Sequence, residues 1–125
     1  MTINVKTVAA QVLAAMQGKL TGLSTTQATA VETAAGVLAK SLADIEAYHL
    51  AKELTDEQAS DLISGAADDA MATLVTTAGM AALDLKGAVV SGLLTLVQVA
   101  LGASGLGWAG PIIQTAITAF TQTGS

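Results

Sequence analysis

Glu46-x-x-His49 is the one spacing in this chain with metal chemistry behind it. Three residues apart on a helix, a carboxylate and an imidazole share a face, as in carboxylate di-iron bundles, and Glu53 lies further along the same chain. Such a centre needs a second Glu–His pair and two more carboxylates, yet His49 is the only histidine. A homodimer would have to supply the rest, as in two-helix ferritin-like proteins, with Glu32 an additional carboxylate at an awkward offset. A solvated acidic face is the simpler reading. Asp68-Asp69 can touch a cation, but on an exposed helix such a pair is ordinarily just hydrated. Nucleophilic catalysis has less support. The chain has no cysteine, and one imidazole would have to serve any Ser or Thr. Gly102-Ala103-Ser104-Gly105 falls short of a Gly-x-Ser-x-Gly elbow, and no Lys follows it to make a phosphate loop. The expectation is a protein without a metal, a cofactor or an enzymatic activity.

Composition moves the question from chemistry to packing. The 125 residues are 52% hydrophobic but only 2% aromatic, namely Tyr48, Trp108 and Phe120, so the apolar weight lies in small side chains, 26 of them Ala. Small side chains fill the space between closely set helices. With 12% charged residues and a mean hydropathy of +0.61, the chain is far from the highly charged, weakly hydrophobic composition of disorder. All five basic residues are Lys and the net charge is −5, which makes nucleic acid a poor partner. The absence of Cys excludes a disulfide framework and a zinc–thiolate site. The length suits one domain.

Helix signals recur along the chain. Between 3 and 17, Val5, Val8, Val12 and Met16 recur at three- and four-residue spacing beside Ala9 and Leu13, which predicts a short amphipathic helix. Ser24-Thr25-Thr26-Gln27 is a capping box that opens a helix expected to run to about residue 54. Inside it Ala35, Ala39, Ala43, Ala47 and Ala51 repeat every four residues, a shallow groove that another helix can approach closely. This Ala row is either an intramolecular contact or the surface through which copies of the chain associate. Thr55-Asp56-Glu57-Gln58 is a second capping box, with two acids where the helix dipole favours them. The helix it opens carries Leu62, Ile63, Ala66, Ala70 and Leu74 on one side, with a bend or break expected near Lys86-Gly87. The glycine-rich stretch 102–110 is a turn, and Pro111 suits the start of a last short helix over 112–120.

Charge is distributed unevenly. Eight of the ten acids fall between residues 44 and 69, and the 39 residues 87–125 carry no charge. The division is therefore an amphipathic helical region, 1–86, followed by an uncharged apolar helical hairpin, 87–125, within one domain. Each hairpin arm is marginal against the ~20 apolar residues that a bilayer requires. Three placements stay open for the hairpin: the centre of a soluble bundle, a membrane, or contact with identical copies. In the membrane, Gly87, Ser91 and Gly92 would give small-xxx-small packing faces and Trp108 would sit at the interface. Lys86 is the only basic residue flanking the run, a weak orienting signal for a resident membrane protein. A two-span holin would end in a charged tail, where this chain has Thr-Gln-Thr-Gly-Ser. Conditional insertion fits better. The first residues lack a basic segment followed by a long apolar one, so no secretory leader is expected.

Trp108-Ala109-Gly110 matches the Trp-x-Gly turn of small secreted helical-hairpin proteins, but over three residues and away from mid-chain, so that match is set aside. In its Ala-, Thr- and Gly-rich, Cys-free and Arg-free make-up the chain resembles many phage structural and genome-ejection proteins. That resemblance of composition implies a small helical virion component, found with other virion proteins or at a membrane, able to form oligomeric channels. The expectation is all-α: long helices forming a self-associating bundle with a C-terminal apolar helical hairpin. It is a non-enzymatic homo-oligomer that contacts or penetrates a membrane. A soluble assembly or adaptor subunit, with the hairpin as its oligomer core, is the alternative.

Overall fold

The structure is a computed structural model that describes residues 4–20, 22–76, 79, 82–102 and 106–123. Five helices follow one another: α1 (Val5–Gln17), α2 (Thr25–Leu50), α3 (Asp56–Thr76), α4 (Ala82–Gly102) and α5 (Ala109–Thr123). No strand occurs among the described residues. The chain is all-α.

Local signals start the helices. Asn4 caps α1, its side chain accepting from the Thr7 amide at 3.2 Å. At α2 the Ser24 hydroxyl accepts from the Gln27 amide at 3.1 Å, while the Gln27 side chain accepts from the Ser24 amide at 3.0 Å. Thr55 and Gln58 repeat the reciprocal pair at α3, at 3.1 and 3.0 Å. Each box satisfies two amides that the helix itself cannot, a contribution of about 1 kcal/mol for the capping side chain.

Helix α5 takes in Ala109 and Gly110, which the sequence reading places in the turn, and runs to Thr123 rather than 120; two further boundaries also differ. Helix α2 stops at Leu50 rather than near residue 54, because Lys52 adopts the left-handed conformation at φ 59°. The Lys52 amide then donates to the His49 carbonyl and the Glu53 amide to the Tyr48 carbonyl. This is a Schellman ending, made at a position that ordinarily holds Gly. The second correction concerns the break expected near Lys86-Gly87. Helix α4 runs through that point; α3 ends at Thr76 and α4 begins at Ala82, with Gly79 between them at φ 65°. Gly87 is accommodated as an ordinary helical residue, whereas Gly79 uses the backbone freedom that only glycine has at low cost.

The helices alternate in direction. Lys86 donates from Nζ to the Thr121 carbonyl at 2.9 Å, joining the start of α4 to the end of α5. At the other end of the bundle, His49 near the end of α2 lies against Trp108 in the α4–α5 turn. Helix α1 packs on α2 and α4, α3 packs on α2 and α5, and α4 touches all four other helices. One core results. Val8, Val12 and Met16 of α1 meet Val31, Leu38, Leu42 and Ile45 of α2, with Ile63 and Leu74 of α3, Leu85, Leu93 and Leu96 of α4, and Ile113 and Phe120 of α5 in the same cluster.

Candidate functional site

The residues with possible chemistry do not assemble. Glu46 is buried, at 4% exposure, whereas His49 is exposed and its ring lies face to face with that of Trp108, centroids 3.7 Å apart and planes 13° from parallel. The two members of the Glu-x-x-His spacing therefore occupy different surroundings. Among the described residues, no three of His, Cys, Asp and Glu gather closely enough to hold a metal ion. Asp68 and Asp69 are both exposed on α3. Residues 103–105, with the Ser104 considered above, lie outside the described residues.

The Ala row divides along its length. Ala35 and Ala39 are fully buried in the core, Ala43 is half-buried, and Ala47 and Ala51 are exposed at the end of α2. A four-residue repeat advances about 400° in an α-helix, so a row that starts facing the core rotates out of it within a few turns. The first two alanines serve the chain's own packing, and the last two reach the surface beside Tyr48 and Leu50.

The glycine and serine positions on α4 divide too. Gly92 is buried at a three-helix crossing. A Cβ there would come within 3.1 Å of Leu38 Cδ1 and Val12 Cγ1 and 3.3 Å of Met16 Cγ, so the close approach is to α1 and α2. Gly87 is exposed with open space around it, and Ser91 is half-buried. Trp108 is half-buried, with one face covered by His49.

The feature that composition did not reveal is the outer surface of α4. Its inner side, from Leu85 through Val89, Leu93 and Leu96 to Ala100, is buried. Its outer side shows Gly87, Leu94, Gln98 and Leu101 exposed, with Leu94 at 47% and Leu101 at 62%. The stretch Leu85–Gly102 is the one candidate among the described residues for a helix long and apolar enough to cross a bilayer, with a mean hydropathy of 1.6; 44% of it is buried. At 1.5 Å per residue these 18 residues span about 27 Å, close to the ~30 Å of a hydrocarbon core. Next to this face a groove of about 460 Å³ runs between α1 and α4, lined by Gln11, Ala14, Thr95, Gln98 and Val99. Helical periodicity could have found the outer face: positions 87, 91, 94, 98 and 101 share one side of a helix, and none is charged.

No protein-family model matches the chain, and no curated protein or solved structure matches it.

Proposed function

We propose that this protein is a non-enzymatic, self-associating helical structural component whose α4–α5 segment, uncharged from Gly87 onward, can leave the bundle core for a membrane. The observation that carries the reading is the character of α4, which is apolar on its inner side and uncharged on its outer side from Gly87 onward. Burial in protein and burial in lipid both remove apolar area from water, at roughly 25 cal/mol per Å² in either case, so the two placements can lie close in energy. In the closed bundle the inner side faces α1, α2, α3 and α5. In the opened form α4 and α5 would enter the bilayer as a pair, with Trp108 toward the interface and Lys86 remaining on the side of entry. The composition, similar to that of phage structural and genome-ejection proteins, makes a virion component the setting we favour. Other virion proteins are then its natural partners.

Flotation with liposomes tests the reading. Wild-type protein is expected to rise with the vesicles, and a Leu94→Lys variant to stay behind. Leu94 is exposed in the closed bundle, so a lysine there is tolerated in water, whereas at the bilayer centre it costs at least ~2.5 kcal/mol. Unchanged circular dichroism and thermal unfolding of the variant would establish that its fold is intact. Wild-type protein that ignores vesicles removes the membrane role. The second reading would then stand, a soluble assembly subunit, which the contact of α4 with every other helix favours.

A further inference from the structure

We infer that the closed bundle pairs with a second copy of itself through the outer face of α4. The inference deepens the self-association proposed above by naming its surface and its partner. Gly87, Ser91 and Thr95 stand four residues apart along this face, and all three are exposed or half-exposed. They make a shallow track along which a second helix can lie close, with Leu94 and Leu101 along one edge.

Charge selects the occupant. The chain carries −5 overall. Of its exposed acids, Asp56, Glu57, Asp61, Asp68 and Asp69 lie on α3, Glu32 on α2 and Glu53 between the two helices. Two copies meeting through α2 and α3 would bring these carboxylates within a screening length of one another, about 8 Å at physiological salt. Two copies meeting through α4 from Gly87 onward bring together faces that carry no charge, and the acids of α3 point away. The polar groups on the face argue for protein rather than lipid as the covering. Gln98 presents a carbonyl and an amide, which a symmetry-related Gln98 can satisfy in both senses. Hydrocarbon offers Gln98 nothing to bond with, whereas the Thr95 hydroxyl is already satisfied by the Ser91 carbonyl at 3.0 Å.

The groove between α1 and α4 fixes the geometry. It borders the track at Thr95 and Gln98, one step from Leu94. In an isologous pair about a two-fold axis near Gln98, Leu94 of each copy is laid against the groove of the other. The exposed leucine and the open groove then account for one another.

The absence of cysteine makes a clean test. A single thiol is placed by Gln98→Cys on the α4 face, or by Asp68→Cys on the acidic side as a control. Each variant is treated with a short bismaleimide cross-linker, beside sedimentation velocity of wild-type protein over a concentration series without lipid or detergent. Support requires a concentration-dependent dimer that is captured through residue 98 and not through residue 68. Leu94→Glu is expected to weaken that dimer roughly tenfold or more while leaving the melting curve of the monomer in place. Oligomers captured through residue 68 but not residue 98 overturn the α4 surface and leave self-association standing. A monomer at every concentration overturns both. Protein that stays monomeric in buffer but has its residue 98 thiol shielded by liposomes assigns the face to lipid, and the pairing is wrong.

Discussion

Helices α2 and α4 end at the same end of the bundle and both contribute heavily to the core, yet they meet water in opposite ways. Helix α2 buries Leu38, Leu42 and Ile45 and turns Glu32, Thr33 and Lys40 outward, with Lys40 paired to Asp44 at 3.5 Å. That exposed pair adds little stability; it keeps the surface hydrated. Helix α4 buries Leu85, Leu93 and Leu96 and, from Gly87 onward, turns outward a face without charge, in which Leu94 and Leu101 stand exposed. The inner halves are equivalent and the outer halves are not. Helix α2 leaves large apolar side chains exposed only in its last turn, Tyr48 and Leu50, whereas on α4 Leu94 stands exposed in mid-helix, where nothing in the core calls for it.

The comparison can be broken at its inner half first. Leu38→Ala and Leu93→Ala each remove a fully buried side chain, and each is expected to cost 2–5 kcal/mol in chemical denaturation, about the usual range for such cavities. A much smaller loss at Leu93 would mean that α4 is only loosely held in the core. The next effect distinguishes two glycines on α4. Gly92→Leu overpacks the crossing with Val12, Met16 and Leu38 and should destabilise by about 1–3 kcal/mol. Gly87→Ala, made in open space, should stabilise by up to about 1 kcal/mol. Equal and opposite melting shifts from that pair would sharpen the contrast between the inner and outer sides of one helix. The smallest effect belongs to α2. Lys52→Gly relieves a left-handed residue at the Schellman ending and should raise stability by a few tenths to about 1 kcal/mol, with its greater unfolded-state freedom offsetting part of the gain. A loss of stability there would show that the Lys52 side chain contributes more than its backbone costs.

What could be read from sequence divides along similar lines. Both capping boxes were legible because they are short-range: a hydroxyl and an amide three residues apart have few other things to do at a helix start. The α1 stripe of Val8, Val12 and Met16 was legible from periodicity. The stop of α2 was not, because a lysine in the left-handed region carries no signature. Nor was the position of the break after α3, because Gly79, Gly87 and Gly92 look alike in sequence and differ only in what surrounds them. Gly79 bends the chain, Gly87 faces open space, and Gly92 lets α4 approach α1 and α2. The Ala row packs in the core only at Ala35 and Ala39; its rotation decides which alanines face inward, and that depends on where the neighbouring helices end. The contact between His49 and Trp108 was beyond sequence reasoning altogether, since neither residue implies the other.

That stack has a kinetic consequence. Each helix of about 20 residues can form locally within roughly a microsecond, before distant parts of the chain meet. His49 and Trp108 come together only when α2 and the α4–α5 turn have both arrived at the same end of the bundle. Trp108 is the only indole in the chain, so its emission is a clock for this late event, uncontaminated by any other site. Backbone dichroism keeps the time of the helices. The interval between the two signals in a rapid-mixing experiment is the time the assembled helices take to find their order around α4.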